Sequence, residues 1–274
     1  MDTDSESDDY LDEALSSKPS NRCYDIILPK SLPDEPERYR LPATQLPSHD
    51  TCPPAEITQC FRFRTRHISA LGELVDSNHP DVIRLRLNPT RTASLISWLA
   101  TLLPWIKSAF PEWFLPQNLI IKREKMDKEV VIAKELFDTE MQAYERLKDI
   151  QGLVVPICYG QVCCNGRRAL VLQDVGGVSL AEPAGAILDL EDLSRLLQES
   201  CHALHSFSVH QSDFKCGNFR LVGSRLMVLD LEMAEFDLPD DDSAFFIATG
   251  ISHLLIAYQR SRAFFRREGW LEAA

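Results

Sequence analysis

The sequence predicts an α+β protein of two lobes, a strand-rich first half followed by a mainly helical second half. Three observations carry this expectation. Phe61–Arg64 and Val82–Leu87 alternate apolar and basic residues at period two, as half-buried antiparallel strands do. A stretch rich in Glu, Lys, Leu and Ala, from Asp127 to Asp149, has helical composition and lies among the strands. After Gly176-Gly177 the pattern changes to a long helix, a polar loop, a small hairpin and a final helix.

The chain begins with its most charged part. Of 274 residues, 41 are acidic and 29 basic, for a formal net charge of −12. Residues 1–60 hold 13 acidic against 5 basic side chains, and 8 of the 16 prolines. Such a segment repels itself and lacks backbone donors. It cannot bury enough apolar surface to offset a chain entropy of roughly 1–2 kcal/mol per residue. Residues 1–54 are therefore expected to be a disordered acidic, Pro-rich tail, and 55–274 the folding part. Within it the first lobe is expected over 55–172, a connector over 173–178 and the second lobe over 179–274.

The elements follow in order. Thr92–Phe110 reads as a helix, its apolar run Ala93–Ile106 interrupted by Ser94, Ser97, Thr101 and Pro104. Asn118–Lys122 is a short β-branched run ending on a lysine. The helix over 127–149 is expected to break near Phe137-Asp138-Thr139, and Gln151-Gly152 stops it. Strands are expected at Val154–Cys163 and Arg168–Gln173, with Asn165-Gly166 as a hairpin turn. Next come a helix over Leu190–Phe207, a loop at 208–218, strands Phe219–Val222 and Leu226–Leu231 around Gly223-Ser224, and a helix over Ser243–Phe265. A ligand is expected in the cleft between the lobes.

Several function classes are set aside. The folding part has no large basic stripe, so binding to nucleic acid through phosphate neutralisation is not expected. Arg260, Arg262, Arg266 and Arg267 read as a solvated or partner-facing helix face. The first residues are acidic where a secretory signal needs a basic start, and Ala93–Ile106 is shorter than the roughly 20 residues of a membrane span. An intracellular protein, cytoplasmic or nuclear, is expected, with no membrane partner. The eight cysteines have no metal-like pairing and are expected as free thiols. Cys201, His202, His205 and His210 are read as packing or capping residues.

The chemistry-bearing segment is the polar loop. It reads Val209-His210-Gln211-Ser212-Asp213-Phe214-Lys215-Cys216-Gly217-Asn218. A second carboxylate, Asp230, ends the apolar run Leu226–Leu229. Burying it unpaired would cost several kcal/mol, so packing does not account for it. Asn218 and Asp230 are oxygen ligands suited to Mg²⁺. Asp213 beside them would accept a hydroxyl proton while the metal holds phosphate oxygens. Alone, Asp213 and Asn218 would equally suit turn formation.

Asp213-x-Lys215-x-x-Asn218 followed by Asp230 resembles the catalytic loop and metal-binding aspartate of protein kinases. The flanking segments are similar to a group of fungal protein-kinase-like proteins. They are Leu119–Lys122, Glu140–Leu147, Gln151–Gly160, Gly176–Leu180 and Asp230-Leu231-Glu232. The likeness runs from about 115 to 232. It implies a two-lobed protein-kinase-like fold with an atypical N-lobe and a shortened C-lobe. It further implies ATP and Mg²⁺ as cofactors, a nucleotide partner, and a protein substrate or partner.

The resemblance assigns roles residue by residue. Lys122 would hold the α/β-phosphates, paired with Glu140; Lys134, inside helical sequence, is the rival. Backbone groups of the connector, among Leu172, Asp174 and Val175, would hold the adenine edge. Asp213 would be the base, Lys215 a γ-phosphate contact, and Asn218 with Asp230 the metal ligands. The plain alternative for Lys122 and Glu140 is an exposed ion pair worth roughly 0–1 kcal/mol. Glu145-Arg146 reads as a solvated helix face, Tyr144 and Leu147 as core.

Four departures bear on activity. Gly72 is the one glycine before Gly152, so a glycine-rich phosphate loop is impossible. Gln211-Ser212 stands where His-Arg is usual. Glu232 replaces the glycine of Asp-Phe-Gly, where it would serve the metal or repel nucleotide. Little sequence follows Glu232, leaving small room for a peptide platform. An ATP- and Mg²⁺-dependent phosphotransferase, a pseudokinase acting as a nucleotide-binding or interaction module, and a truncated inactive product all remain open.

Overall fold

The computed structural model describes residues 57–76, 79–88, 105, 109–126 and 129–271. The tail over 1–54 lies outside them, as does most of the helix expected over 92–110.

Six strands come first in space. They are β1 (Ile57–Phe63), β2 (Arg66–Leu74), β3 (Val82–Leu87), β4 (Asn118–Arg123), β5 (Cys158–Cys164) and β6 (Arg167–Gln173). All neighbours are antiparallel, in the order β1-β2-β3-β4-β6-β5, and β1 also pairs with β5 through Phe61↔Cys164 and Arg62↔Cys163. The sheet therefore closes into a barrel, which removes its free edges. Its interior is filled by alternate residues, among them Phe61, Phe63, Ile83, Leu85, Leu119, Ile121 and Val171. Gly72 leaves room for its neighbours: a Cβ there would come within 2.9 Å of the Ile83 side chain and 3.1 Å of the Ile57 carbonyl.

This corrects the expected fold. The described residues form a closed six-stranded antiparallel barrel with three helices and a few short strands, and not the expected two-lobed protein-kinase-like fold. The physical reason is β2. It supplies an extra alternating strand between β1 and β3, and the added turn of sheet brings β1 onto β5.

The helices are α1 (Val130–Arg146), α2 (Leu190–His205) and α3 (Asp240–Arg267). α1 runs unbroken through Phe137-Asp138-Thr139, against expectation. Phe137 is buried under the Arg168 guanidinium, 4.4 Å from its ring centroid, and Asp138 accepts from Arg168 at 2.6 Å. α2 begins with Asp189 accepting from the Asp192 N–H at 2.8 Å, an N-cap bond. The hairpin of β5 and β6 turns on Asn165-Gly166, both at positive φ (54° and 75°), as a two-residue turn of this kind requires.

Short strands complete the structure: β7 (Val178–Ser179), β8 (Val209–His210), β9 (Phe219–Val222), β10 (Arg225–Val228) and β11 (Glu235–Phe236). They form a three-stranded sheet, β10-β9-β7, and the pair β11-β8. A second core joins α1, α2 and α3 to these strands, with Tyr144, Leu147, Leu193, Leu197, Leu204, Phe219 and Tyr258 at its centre. Among the described residues no helix is long and apolar enough to cross a membrane.

Candidate functional site

β4 divides its side chains between two surroundings. Leu119 and Ile121 enter the barrel, while Ile120 packs on the second core. Alternation puts Lys122 on the same face as Ile120, outside the barrel and facing α1. On α1 the buried stripe Ala133, Phe137, Glu140, Ala143 and Tyr144 carries one carboxylate. Glu140 is 1% exposed.

The two meet, and two further acids meet them. Lys122 Nζ lies 2.8 Å from Glu140 Oε2, 2.7 Å from Asp230 Oδ1 and 3.1 Å from Glu232 Oε1. An ammonium has three N–H donors, and here three carboxylates surround them. Lys125 reaches the same cluster through Glu232 Oε2. Two lysines and three acids thus share one site, and the exposed ion pair considered for Lys122 and Glu140 is replaced by a buried network. Lys134 is exposed on α1.

The electrostatics follow from burial and charge. Desolvation pulls Lys122 down, but the charges of Glu140, Asp230 and Glu232 outweigh it and hold the ammonium well above its ordinary range. Glu140 is pushed up to about 7, first by desolvation, against the opposing pull of Lys122. Asp230 is also desolvated, yet Lys122, its hydrogen bond and Lys125 bring its carboxyl below the usual value.

Asp230 stands just past β10 with φ at 54°, in the left-handed region that a non-glycine residue seldom adopts. Three hydrogen bonds hold that turn. The Leu229 N–H donates to the Asn218 carbonyl at 2.7 Å, and Gln211 Nε2 donates to the carbonyls of Leu229 and Asp230 at 3.0 and 3.1 Å. Gln211 Oε1 also accepts from the Asp213 N–H at 3.3 Å. One buried amide therefore ties the loop of Asp213 to the turn of Asp230.

Asp213 is held on both sides of its backbone. Its carbonyl accepts from Asn218 Nδ2 at 3.0 Å and from the Lys215 N–H at 2.9 Å. Its carboxylate accepts from Lys215 Nζ at 2.9 Å. That bond and the Asp213 charge raise the lysine above its ordinary value, with Asp230 adding a smaller share. Lys215 is thus paired with Asp213, its side chain 74% exposed. Asn218 has its amide nitrogen committed, so the ligand role expected of it would fall to Oδ1.

The connector follows β6 directly. Leu172 lies inside β6, paired on its two sides with Ile120 and Cys158, so its backbone belongs to the ladder. Asp174 lies past the strand and accepts from Arg84 Nε at 2.9 Å; Val175 beside it is half-buried. Arg220 fixes the next residues by donating to the Gly176 and Gly177 carbonyls, both at 2.8 Å.

The donor set fits a hard divalent cation. Oxygens of Glu140, Asp230 and Glu232 lie within 4.8 Å of one another, and Mg²⁺ takes carboxylate oxygens while keeping several waters. The expected ligand set was Asn218, Asp230 and Glu232; the structure adds Glu140, which faces the same point as Asp230 and Glu232.

Lys125, Arg168 and Arg220 carried no signal strong enough to be picked out from sequence, and Gln211 stood out only as a departure from the usual residue, not as a tether. Lys125 follows Lys122 by three residues, and Gln211 precedes Asp213 by two. Arg146, expected in a solvated face, instead donates from both Nη atoms to Asp237, at 2.7 and 2.8 Å, and lies over Phe236. His205 Nδ1 and His210 Nε2 are 2.9 Å apart in a mutual contact.

Comparison with known protein families finds none that matches the chain, and comparison with curated proteins finds no match either.

Proposed function

We propose that this chain is an ATP- and Mg²⁺-dependent phosphotransferase acting on a hydroxyl acceptor. The observation that supports it is the meeting of Lys122, Glu140, Asp230 and Glu232 at one buried point, with Asp213 tethered to Asp230 through Gln211. The reading rests on the chemistry of these residues and takes nothing from a two-lobed fold.

The roles follow from what each group can do. Asp230 and Glu232, with Asn218 Oδ1, would hold Mg²⁺, which when bound draws charge off the phosphate oxygens. Once those carboxylates face a divalent cation, Lys122 keeps Glu140 as its partner and has donors to give to phosphate. Asp213 accepts the proton of the attacking hydroxyl. Gln211 keeps the two aspartates at a fixed separation, which is where positioning enters catalysis.

One observation favours a second reading, a module that binds nucleotide without transferring phosphate. The carboxylate of Asp213 is already engaged by Lys215 at 2.9 Å, so the base has a competing partner.

Thermal unfolding with and without ATP·Mg²⁺ tests the first step. Ligand at about 100 times its Kd adds roughly 2.7 kcal/mol of stability. At about 2–4 °C per kcal/mol for a domain of this size, Tm rises by roughly 5–10 °C. Asp230→Asn abolishes the rise. No rise at saturating ATP·Mg²⁺ overturns both readings. Asp213→Asn then separates them: the enzyme loses phosphate transfer and keeps the thermal shift, whereas equal background turnover in both proteins supports the second reading.

A further inference from the structure

On the nucleotide reading, the outer phosphates call for positive charge at the site. No glycine lies between Gly72 and Gly152, so this part of the sequence has no glycine-rich turn to aim several N–H groups at a phosphate. The charge must come from side chains.

The cations at hand differ in how firmly they are committed. Lys122 is engaged by three carboxylates, keeps Glu140 when a cation takes the other two, and is already assigned to phosphate in the reading above. Arg84 is divided between Asp174 and Glu73. Arg168 holds Glu124 and Asp138 and covers Phe137. Lys215 pairs with the proposed base. Lys125 is different. Its carboxylate partner among the described residues is Glu232 alone, the acid that a divalent cation would claim.

Its placement suits a moving head on a fixed base. β4 ends at Arg123, and the next residue is anchored twice. The Glu124 N–H donates to the Arg168 carbonyl at 2.9 Å, and its carboxylate accepts from Arg168 Nε and Nη2 at 3.0 and 2.9 Å. Lys125 leaves this anchor at the rim, its side chain 27% exposed against 11% for Lys122. A lysine carries its charge on a flexible stem with three donors.

We propose that Lys125 is the second phosphate-binding cation of the site: it releases Glu232 to the metal and donates to the outer phosphates of the nucleotide. The inference rests on the nucleotide reading above. Lys125 then supplies the positive charge that a glycine-rich turn would otherwise direct at the phosphates.

Calorimetric titration of the full chain with ATP plus Mg²⁺, and separately with adenosine, tests it. Lys125→Ala and Lys125→Gln are expected to weaken ATP·Mg²⁺ about tenfold or more, as loss of a charged hydrogen bond does. Adenosine affinity stays within about twofold of the native value, and Lys125→Arg restores most of the ATP affinity. Lys125→Gln keeps the stem, so packing is preserved if the alanine variant fails to fold. Native-like ATP binding by Lys125→Gln overturns the proposal alone. So does a parallel loss of adenosine and ATP, which marks a structural role. If the native chain binds neither ligand, the nucleotide reading falls and this proposal falls with it.

Discussion

A lysine at 9% exposure beside three carboxylates is held by its neighbours more than it holds them. Each charge here has lost much of its water, and only mutual contact offsets that loss. With Lys125 included, the cluster has one more acid than base, and Glu140 answers by rising to about 7 through desolvation. Removing Lys122 therefore does more than delete a contact, because it leaves acids crowded in a poorly solvated pocket. Lys122→Met is expected to destabilise the fold by about 3–5 kcal/mol. Adding Glu140→Gln in the same chain recovers part of that loss, because it removes one of the stranded charges. Urea unfolding of the two single variants and the double variant measures this directly. Strict additivity would contradict the coupling.

At the scale of elements, the loop carrying Asp213 is braced from behind by α3. Gly250 faces Phe214, and a Cβ there would lie 2.2 Å from the ring. Phe214 is stacked on Phe219, with centroids 6.0 Å apart, so it has little room to retreat. Gly250→Ala gains about 1 kcal/mol in helix propensity, but the overlap costs roughly 1–3 kcal/mol and displaces the residue next to Asp213. Net destabilisation is expected, and Phe214→Leu in the same chain relieves it; stability unchanged in the single variant would mean the ring yields freely. The glycine looked unremarkable in sequence, and the same holds for much that depends on distant partners. The helices, β4, the β5–β6 turn and the β9–β10 hairpin were legible because each rests on local periodicity or turn chemistry. Asp213 and Asp230 stood out by residue type and spacing, whereas Lys122 and Glu140 were singled out only by the resemblance to kinase-like proteins. Barrel closure was not, since Phe61 and Cys164 are far apart in the chain and β2 is marked by small residues, Ala70 and Gly72, at its pairing positions. The continuity of α1 at Phe137-Asp138-Thr139 was also hidden, because it depends on Arg168 from β6.

For the whole molecule, the question is whether the barrel and the helical part behave as separate bodies. Their two cores share strands. On β6 the run Ala169 to Leu172 is buried throughout, Ala169 and Val171 facing the barrel, Leu170 and Leu172 facing the helices. β4 does the same with Ile121 on one side and Ile120 on the other. A strand buried on both faces cannot leave one core without exposing the other. The ion cluster adds a second tie, because Lys122 comes from β4, Glu140 from α1, and Asp230 with Glu232 from beyond β10. Unfolding of the described part should therefore be one cooperative step. Ile121→Ala in the barrel and Leu197→Ala on α2 each remove a fully buried side chain, at a cost of about 2–5 kcal/mol. Both should lower the midpoint of the same transition, by on the order of 10 °C. Calorimetry of each variant decides the point. If Ile121→Ala splits off an early transition and leaves a second at the native temperature, the shared strands do not couple the cores. A single shifted peak for both variants means that the barrel and the helices unfold together through the strands they share.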